Sequence, residues 1–254
     1  MLEIRDLVVV YGRGGNETAA VNEVSLRVES HAIVGLVGES GSGKSTLGKA
    51  VVGLAPVTAG LIEWNGVSVV ERRRLGARLG RRGRPKAAIQ YVFQDPYASL
   101  NPRLRVGAAI AEGLGDLRRR SRRADVQRLL ELVRLAPEVA DALPRQLSGG
   151  QRQRVAIARA LAAEPELLIA DEITSSLDVS VQGAVLNLLK EIQKETGVAI
   201  LFISHNLAVV RYLAGAVAVM KQGRLVEFGP TDHIVNTPTD PYTRQLLQAV
   251  PTLH

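Results

Sequence analysis

The chain has 254 residues, a formal net charge of +7 and no cysteine. That length allows one or two domains with a sizeable core, and the missing thiols exclude disulfides, cysteine-bound zinc and iron–sulfur clusters, which fits a reducing compartment such as the cytoplasm. The positive charge gathers in two arginine-rich stretches, residues 72–86 and 118–128, read here as solvated loop and helix faces rather than as a nucleic-acid or lipid footprint.

In chain order, residues 1–10 set acidic residues ahead of a very short apolar run, so they read as an edge strand and not as a secretory signal. Further strands are expected over residues 24–28 and 32–37. The second of these runs into Gly38-Glu39-Ser40-Gly41-Ser42-Gly43-Lys44-Ser45, and residues 45–54, beginning Ser45-Thr46, then have helical spacing. Strand, glycine-rich loop and helix make the G-x-x-x-x-G-K-[ST] phosphate loop. Its glycines let backbone N–H groups converge on phosphate oxygens, and the helix N-terminus adds unpaired N–H groups and partial positive charge. Lys44 is expected to reach the β- and γ-phosphates and the Ser45 hydroxyl to be a magnesium ligand.

The apolar run Ile89 to Phe93 leads into Gln94. From Gln94 to Leu147 the strand signal disappears, and residues 106–114 and 121–135 read as helices, which predicts an inserted helical subdomain. Leu147-Ser148-Gly149-Gly150-Gln151 stands before a clear helical pattern, Arg152 to Leu161. Ser148 is a natural N-cap there, and the same hydroxyl, glycine N–H groups and helix start make a second phosphate site. One chain cannot easily fold both phosphate sites onto one nucleotide.

Residues 167–170 form an apolar strand that delivers Asp171 and Glu172, one carboxylate to bind magnesium and one to polarise the water that attacks a γ-phosphate. A strand over residues 198–203 ends near His205, and another covers residues 217–221. After Gly229 the prolines 230, 238, 241 and 251 predict a turn-rich appendage ending in one small helix, residues 242–249. The longest apolar stretch, Leu207 to Met220, is broken by Arg211 and falls short of the roughly 20 residues of a membrane span, so any membrane role is peripheral. Strands alternating with helices predict an α/β sheet with a parallel core and its site at the carboxyl ends of the strands.

Together these motifs resemble the ATP-binding-cassette (ABC) ATPases. The resemblance implies a RecA-like P-loop ATPase core with an antiparallel β subdomain and an inserted α-helical subdomain, all within one ABC ATPase domain. The nucleotide-binding core would be residues 1–93 and 159–229, the helical subdomain with the signature motif 94–158, and a short appendage 230–254. ATP and Mg2+ are the implied cofactors. Tyr11 would stack on adenine, Gly38 to Thr46 would hold phosphates, and Ser45, Gln94 and Asp171 would be the magnesium ligands. Glu172 would be the general base, assisted by Lys44, by Gln94 as the Q-loop glutamine and by His205 as the switch histidine. Ser148, Gly149, Gly150 and Gln151 would serve a nucleotide bound to the opposite subunit, and Ser176-Leu177-Asp178 matches the D-loop. Ile173 stands where the family usually has proline and Asn206 where aspartate is common, while His31, His233 and His254 have no such context.

Two segments, Phe93 to Arg103 and Asp240 to Pro251, are similar to those of the ATP-binding subunits of oligopeptide, dipeptide and nickel importers. This implies a transport-coupled ATP hydrolase, peripheral on the cytoplasmic face of the membrane. Its partners would be a second cassette, identical or different, transmembrane permease subunits and, indirectly, an extracytoplasmic solute-binding protein. Peptide is the leading substrate and nickel the second. A soluble ABC ATPase acting on nucleic acid or ribosomes would use the basic clusters, but the insertion carries no coiled-coil arm or zinc ligands, so no nucleic-acid partner is expected. An exporter ATPase is disfavoured by the same two segments. Residues 95–103 are expected to form the surface that couples to the permease, with Tyr97 and Leu100 as apolar anchors.

Overall fold

Alternating apolar residues fix the first strand: Leu2, Ile4, Leu7 and Val9 are buried along β1 (Leu2–Tyr11). The structure, a computed structural model, describes residues 1–12, 14, 17–69, 88–95, 100–115 and 122–248. The basic stretch 72–86, part of the second basic stretch, and Tyr97 lie outside the described residues. After β1 come β2 (Thr18–Val28), β3 (Ile33–Val37), α1 (Lys44–Val51), β4 (Ala59–Trp64), β5 (Val67–Ser68), β6 (Ile89–Val92), α2 (Val106–Gly113) and α3 (Arg122–Leu132). Two 3-10 turns, Pro137–Asp141 and Pro144–Gln146, precede α4 (Gly149–Leu161). The chain continues through β7 (Leu167–Asp171), α5 (Val179–Thr196), β8 (Ala199–Ser204), α6 (Leu207–Leu213), β9 (Ala216–Lys221), β10 (Arg224–Pro230), α7 (Thr231–Asn236) and α8 (Pro241–Gln248).

The chain divides into two compact units, residues 1–83 with 199–254 and residues 84–198. The first unit holds an antiparallel sheet in the order β2-β1-β4-β5. β1 is therefore not the edge strand expected from sequence, since it pairs with β2 through Ile4↔Leu26 and with β4 through Ile4↔Ile62. The reason is that residues 59–64, for which no strand was expected, supply a second partner. Between Ile4 and Leu7 the pairing slips, and Asp6 takes a positive φ of 47° there. This bulge lets two residues three apart face the same core.

The same unit holds β3 parallel to both β8 and β9, with β10 returning antiparallel beside β9. β8 is buried at all six positions, the pattern of a strand covered on both faces. The described part of the tail carries two helices where sequence predicted one. Pro230 occupies the N-cap of α7 and Pro241 is the first residue of α8. Read as turn signals, these prolines in fact start helices, because a first helical turn has no use for the N–H that proline lacks.

In the second unit β6 runs parallel to β7, in the register Tyr91↔Ile169, and the remaining described elements are helices and 3-10 turns. α2 and α3 stand within one residue at the start and three at the end of the expected helical stretches. α4 buries Val155, Ala156, Ile157 and Ala158. α5 ends at Gly197, whose φ of 70° closes the helix in the left-handed conformation. No described helix is long and apolar enough to cross a membrane.

Candidate active site

The phosphate loop lies at the carboxyl end of β3 and is packed too closely for side chains at its key turns. Gly38 has φ 152°, and a Cβ there would meet the Met220 carbonyl oxygen at 2.1 Å; one at Gly43, with φ 99°, would meet the Ala20 carbonyl oxygen at 2.0 Å. Both obstacles are backbone, so only glycine fits. The loop is braced from outside by the turn after β9, where Gly223 N–H donates to the Ser42 carbonyl at 3.0 Å and Asn22 N–H to the Gly223 carbonyl at 2.8 Å.

Lys44 opens α1 and is only 3% exposed. Its ammonium donates to the Gly38 carbonyl at 2.8 Å, the Glu39 carbonyl at 2.7 Å and Ser42 Oγ at 3.3 Å. A buried cation costs several kcal/mol unless hydrogen-bonded, and here the loop wraps its own carbonyls around the charge. Glu39, Ser40 and Gly41 are exposed at the rim, and Ser45 and Thr46 are half-buried in the first turn of α1. Tyr11 ends β1 with 43% of its surface exposed, open for stacking. His205 is exposed directly after β8, and Asn206 caps α6 by accepting from Ala208 N–H at 2.9 Å.

In the second unit, β7 carries Asp171, 5% exposed, and Glu172, half-buried, to its carboxyl end. Sequence reasoning missed the residue that holds Asp171. Tyr91 donates its hydroxyl to Asp171 Oδ2 at 2.5 Å. Burial raises the Tyr91 phenol pKa, and the Asp171 charge and hydrogen bond raise it further. The register explains the meeting: Tyr91 faces Ile169, and Asp171 lies two residues further along the same face. An aromatic in a strand was legible from sequence; its partner was not, because pairing of β6 with β7 joins residues 80 apart.

Glu172 sits at φ 48°, a left-handed conformation that is unfavourable for a residue with a side chain. Ser175 holds the turn, donating its N–H at 3.1 Å and its hydroxyl at 2.8 Å to the Glu172 carbonyl. Gln94 in turn donates to Ser175 Oγ at 3.3 Å. The structure thus links Gln94, Ser175 and Glu172 in one chain, with Ser175 a second residue unforeseen in sequence. Ile173, in place of the usual proline, is fully buried under this turn.

The signature turn is a capping box. Ser148 Oγ accepts from Gln151 N–H at 3.3 Å, and Gln151 Oε1 accepts from Ser148 N–H at 2.9 Å. A Cβ on Gly150 would meet Val181 Cγ1 at 2.5 Å, so α4 and α5 approach closely at this turn. Leu100, expected as an exposed anchor for a permease, is instead 3% exposed and belongs to the interior.

Among the described residues no group of three or more His, Asp or Glu side chains converges as a protein-only metal cage would require. The hydroxyl of Ser45, the amide of Gln94 and the carboxylate of Asp171 are hard oxygen donors. Each is the kind of group that suits magnesium, which is bound through one or two carboxylates together with substrate phosphates and water.

The ABC transporter family matches residues 21–175. A Brucella abortus (strain 2308) relative, named for peptide import and ATP binding, is 50% identical over 235 residues, which is 91% of this chain and 69% of the relative. The oligopeptide transport ATP-binding protein OppF of Bacillus subtilis (strain 168) is 44% identical over 261 residues, 99% of this chain and 82% of its own length. Among solved structures, the dimeric ATP-binding cassette MJ0796 in a post-hydrolysis state with ADP and Pi superposes with a TM-score of 0.77 at 27% identity, covering 91% of this chain and 99% of that one. By this family match and these identities the chain belongs to the ABC transporter family, as one of its ATP-binding, ATP-hydrolysing cassettes.

Proposed function

We propose that the chain is the ATP-hydrolysing subunit of an importer for di- and oligopeptides, working as one half of a head-to-tail pair of cassettes on the cytoplasmic face of a permease. The buried, carbonyl-wrapped Lys44 at the head of α1 carries the nucleotide part of this reading. Loop N–H groups and the Lys44 ammonium hold the β- and γ-phosphates and offset charge that grows on them during transfer. Ser45, Gln94 and Asp171 would hold magnesium, which supplies charge neutralisation on the phosphate oxygens. Glu172 takes a proton from the attacking water as its oxygen bonds to the γ-phosphorus and the bond to ADP breaks. The Gln94–Ser175–Glu172 chain fixes the base against its strained backbone. Tyr11 stacks on the base, and His205 contacts the γ-phosphate.

Peptide as cargo is supported by the names of the relatives, one for peptide import at 50% identity and one for oligopeptide transport at 44%. Pairing is supported by the dimeric state of the similar cassette, and the capped Ser148 turn offers N–H groups to a nucleotide on the opposite subunit. The test is reconstitution with the permease subunits and solute-binding protein of a peptide importer. ATP hydrolysis stimulated by a tripeptide and not by Ni2+ is the expected result; stimulation by Ni2+ alone would overturn the peptide reading. Ser148→Arg should leave ATP binding by a single chain intact and abolish paired turnover, and an unaffected rate would refute the sandwich.

A further inference from the structure

The importer-type tail touches the phosphate loop through Tyr242. Glu227 on β10, 9% exposed, accepts from Thr239 N–H and Thr239 Oγ1, each at 2.8 Å, and from Asp240 N–H at 3.2 Å. Asp240 Oδ1 then accepts from Tyr242 N–H at 2.7 Å, fixing the start of α8. So anchored, Tyr242 is 4% exposed, with the Lys221 ammonium 4.7 Å from its ring centroid, a cation–π contact. Its hydroxyl oxygen accepts from the backbone N–H of Glu39 at 3.0 Å.

That N–H belongs to the peptide between Gly38 and Glu39, whose carbonyl accepts from Lys44 Nζ at 2.8 Å. One peptide plane is therefore held at both edges, by the tail on one side and by the phosphate-binding lysine on the other. We propose that Tyr242 is a positioning residue for the phosphate loop, clamping the Gly38–Glu39 peptide in its nucleotide-competent orientation and thereby coupling the C-terminal segment to nucleotide binding. The inference rests on the reading of this loop as the ATP phosphate site. Gly38 lacks a Cβ, so its peptide is free to rotate once the clamp is lost, carrying the carbonyl away from Lys44. A loop that is competent only part of the time binds ATP more weakly by that fraction. Linkage demands the reverse effect too: ATP must stabilise the docked tail by the same factor.

The test compares Tyr242→Phe, which keeps the ring, its burial and the Lys221 contact, with the wild type as purified full chains. Expected are an ATP Kd and KM raised about 2- to 10-fold, the range of one net hydrogen bond, with kcat within about twofold and the melting temperature of the nucleotide-free protein nearly unchanged. Amide hydrogen exchange across residues 239–248 should slow when ATP is added to the wild type and respond less in the variant. Glu227→Gln, which weakens the tail anchor without touching the loop, should raise the ATP Kd in the same direction. An unaltered Kd in Tyr242→Phe, tail exchange indifferent to ATP in the wild type, or a fall in kcat that tracks lost thermal stability would each overturn the proposal. Failure of the wild type itself to bind ATP would refute the assignment of the loop, a separate outcome.

Discussion

Replacing Tyr91 by Phe removes one oxygen atom from the centre of the carboxylate site. The ring can stay where it is, tilted against Phe93 with centroids 4.7 Å apart, so packing is preserved and the loss isolates the 2.5 Å bond to Asp171 Oδ2. Both partners are buried, at 8% and 5% exposure. Leaving a buried charged acceptor without its donor costs about 1.5–3 kcal/mol. For a chain of this size each kcal/mol shifts the melting temperature by about 2–4 °C, so Tyr91→Phe should melt roughly 3 to 12 °C below the wild type. Asp171→Asn perturbs the same bond from the other side with the opposite expectation. It retains an acceptor for the Tyr91 hydroxyl and removes a charge whose burial is costly, so the protein should melt no lower than the wild type while losing ATP hydrolysis. Calorimetry of the nucleotide-free chains at neutral pH reads both. A Tyr91→Phe melting point within about 1 °C of the wild type, outside the range calculated above, would refute the reasoning, as would an Asp171→Asn variant less stable than Tyr91→Phe.

Glu172→Gln should keep ATP binding and lower hydrolysis by about 10²- to 10⁴-fold, because the amide preserves shape but cannot accept the proton; steady-state phosphate release checks it, and a rate within about threefold of wild type would remove Glu172 as the base. Gly43→Ala should both destabilise the fold and abolish binding of a fluorescent ATP analogue, since its Cβ meets backbone at 2.0 Å. Gly41→Ala, with φ 81° but nothing within 4 Å, should cost only the left-handed strain of about 1–2 kcal/mol. Acid should loosen the tail. Burial pushes the Glu227 carboxyl upward, but hydrogen bonds from the tail outweigh it and leave the group below its ordinary value of 4.5. A depressed folded-state pKa gives stability that is fully present above the unfolded value and lost as pH falls through the folded one, so amide protection across residues 239–248, relative to the intrinsic exchange rate at each pH, should fall below about pH 4.5 in the wild type and show a weaker pH response in Glu227→Gln.

The order of chemical motifs was legible in the sequence because each is local. The phosphate loop needs its glycines, Lys44 and Ser45 within one turn, β7 needs only an apolar run ending in two carboxylates, and the signature turn is capped by Ser148 and Gln151 three residues apart. Local spacing also placed the helices between Gln94 and Leu147. What the tertiary structure decided is the pairing of segments far apart in the chain. β1 became an interior strand only because β4, some 50 residues later, lies against it. Tyr91 became the holder of Asp171 only through the register of two parallel strands, and Tyr242 reaches Glu39 across 203 residues because β10 and Glu227 bring the tail back. Leu100 read as a surface anchor and is buried, since a lone apolar residue beside prolines carries no periodicity to say which way it faces. A sequence records which side chains a turn or strand presents, but a partner on a distant strand is chosen by register and burial, and those are properties of the assembled core.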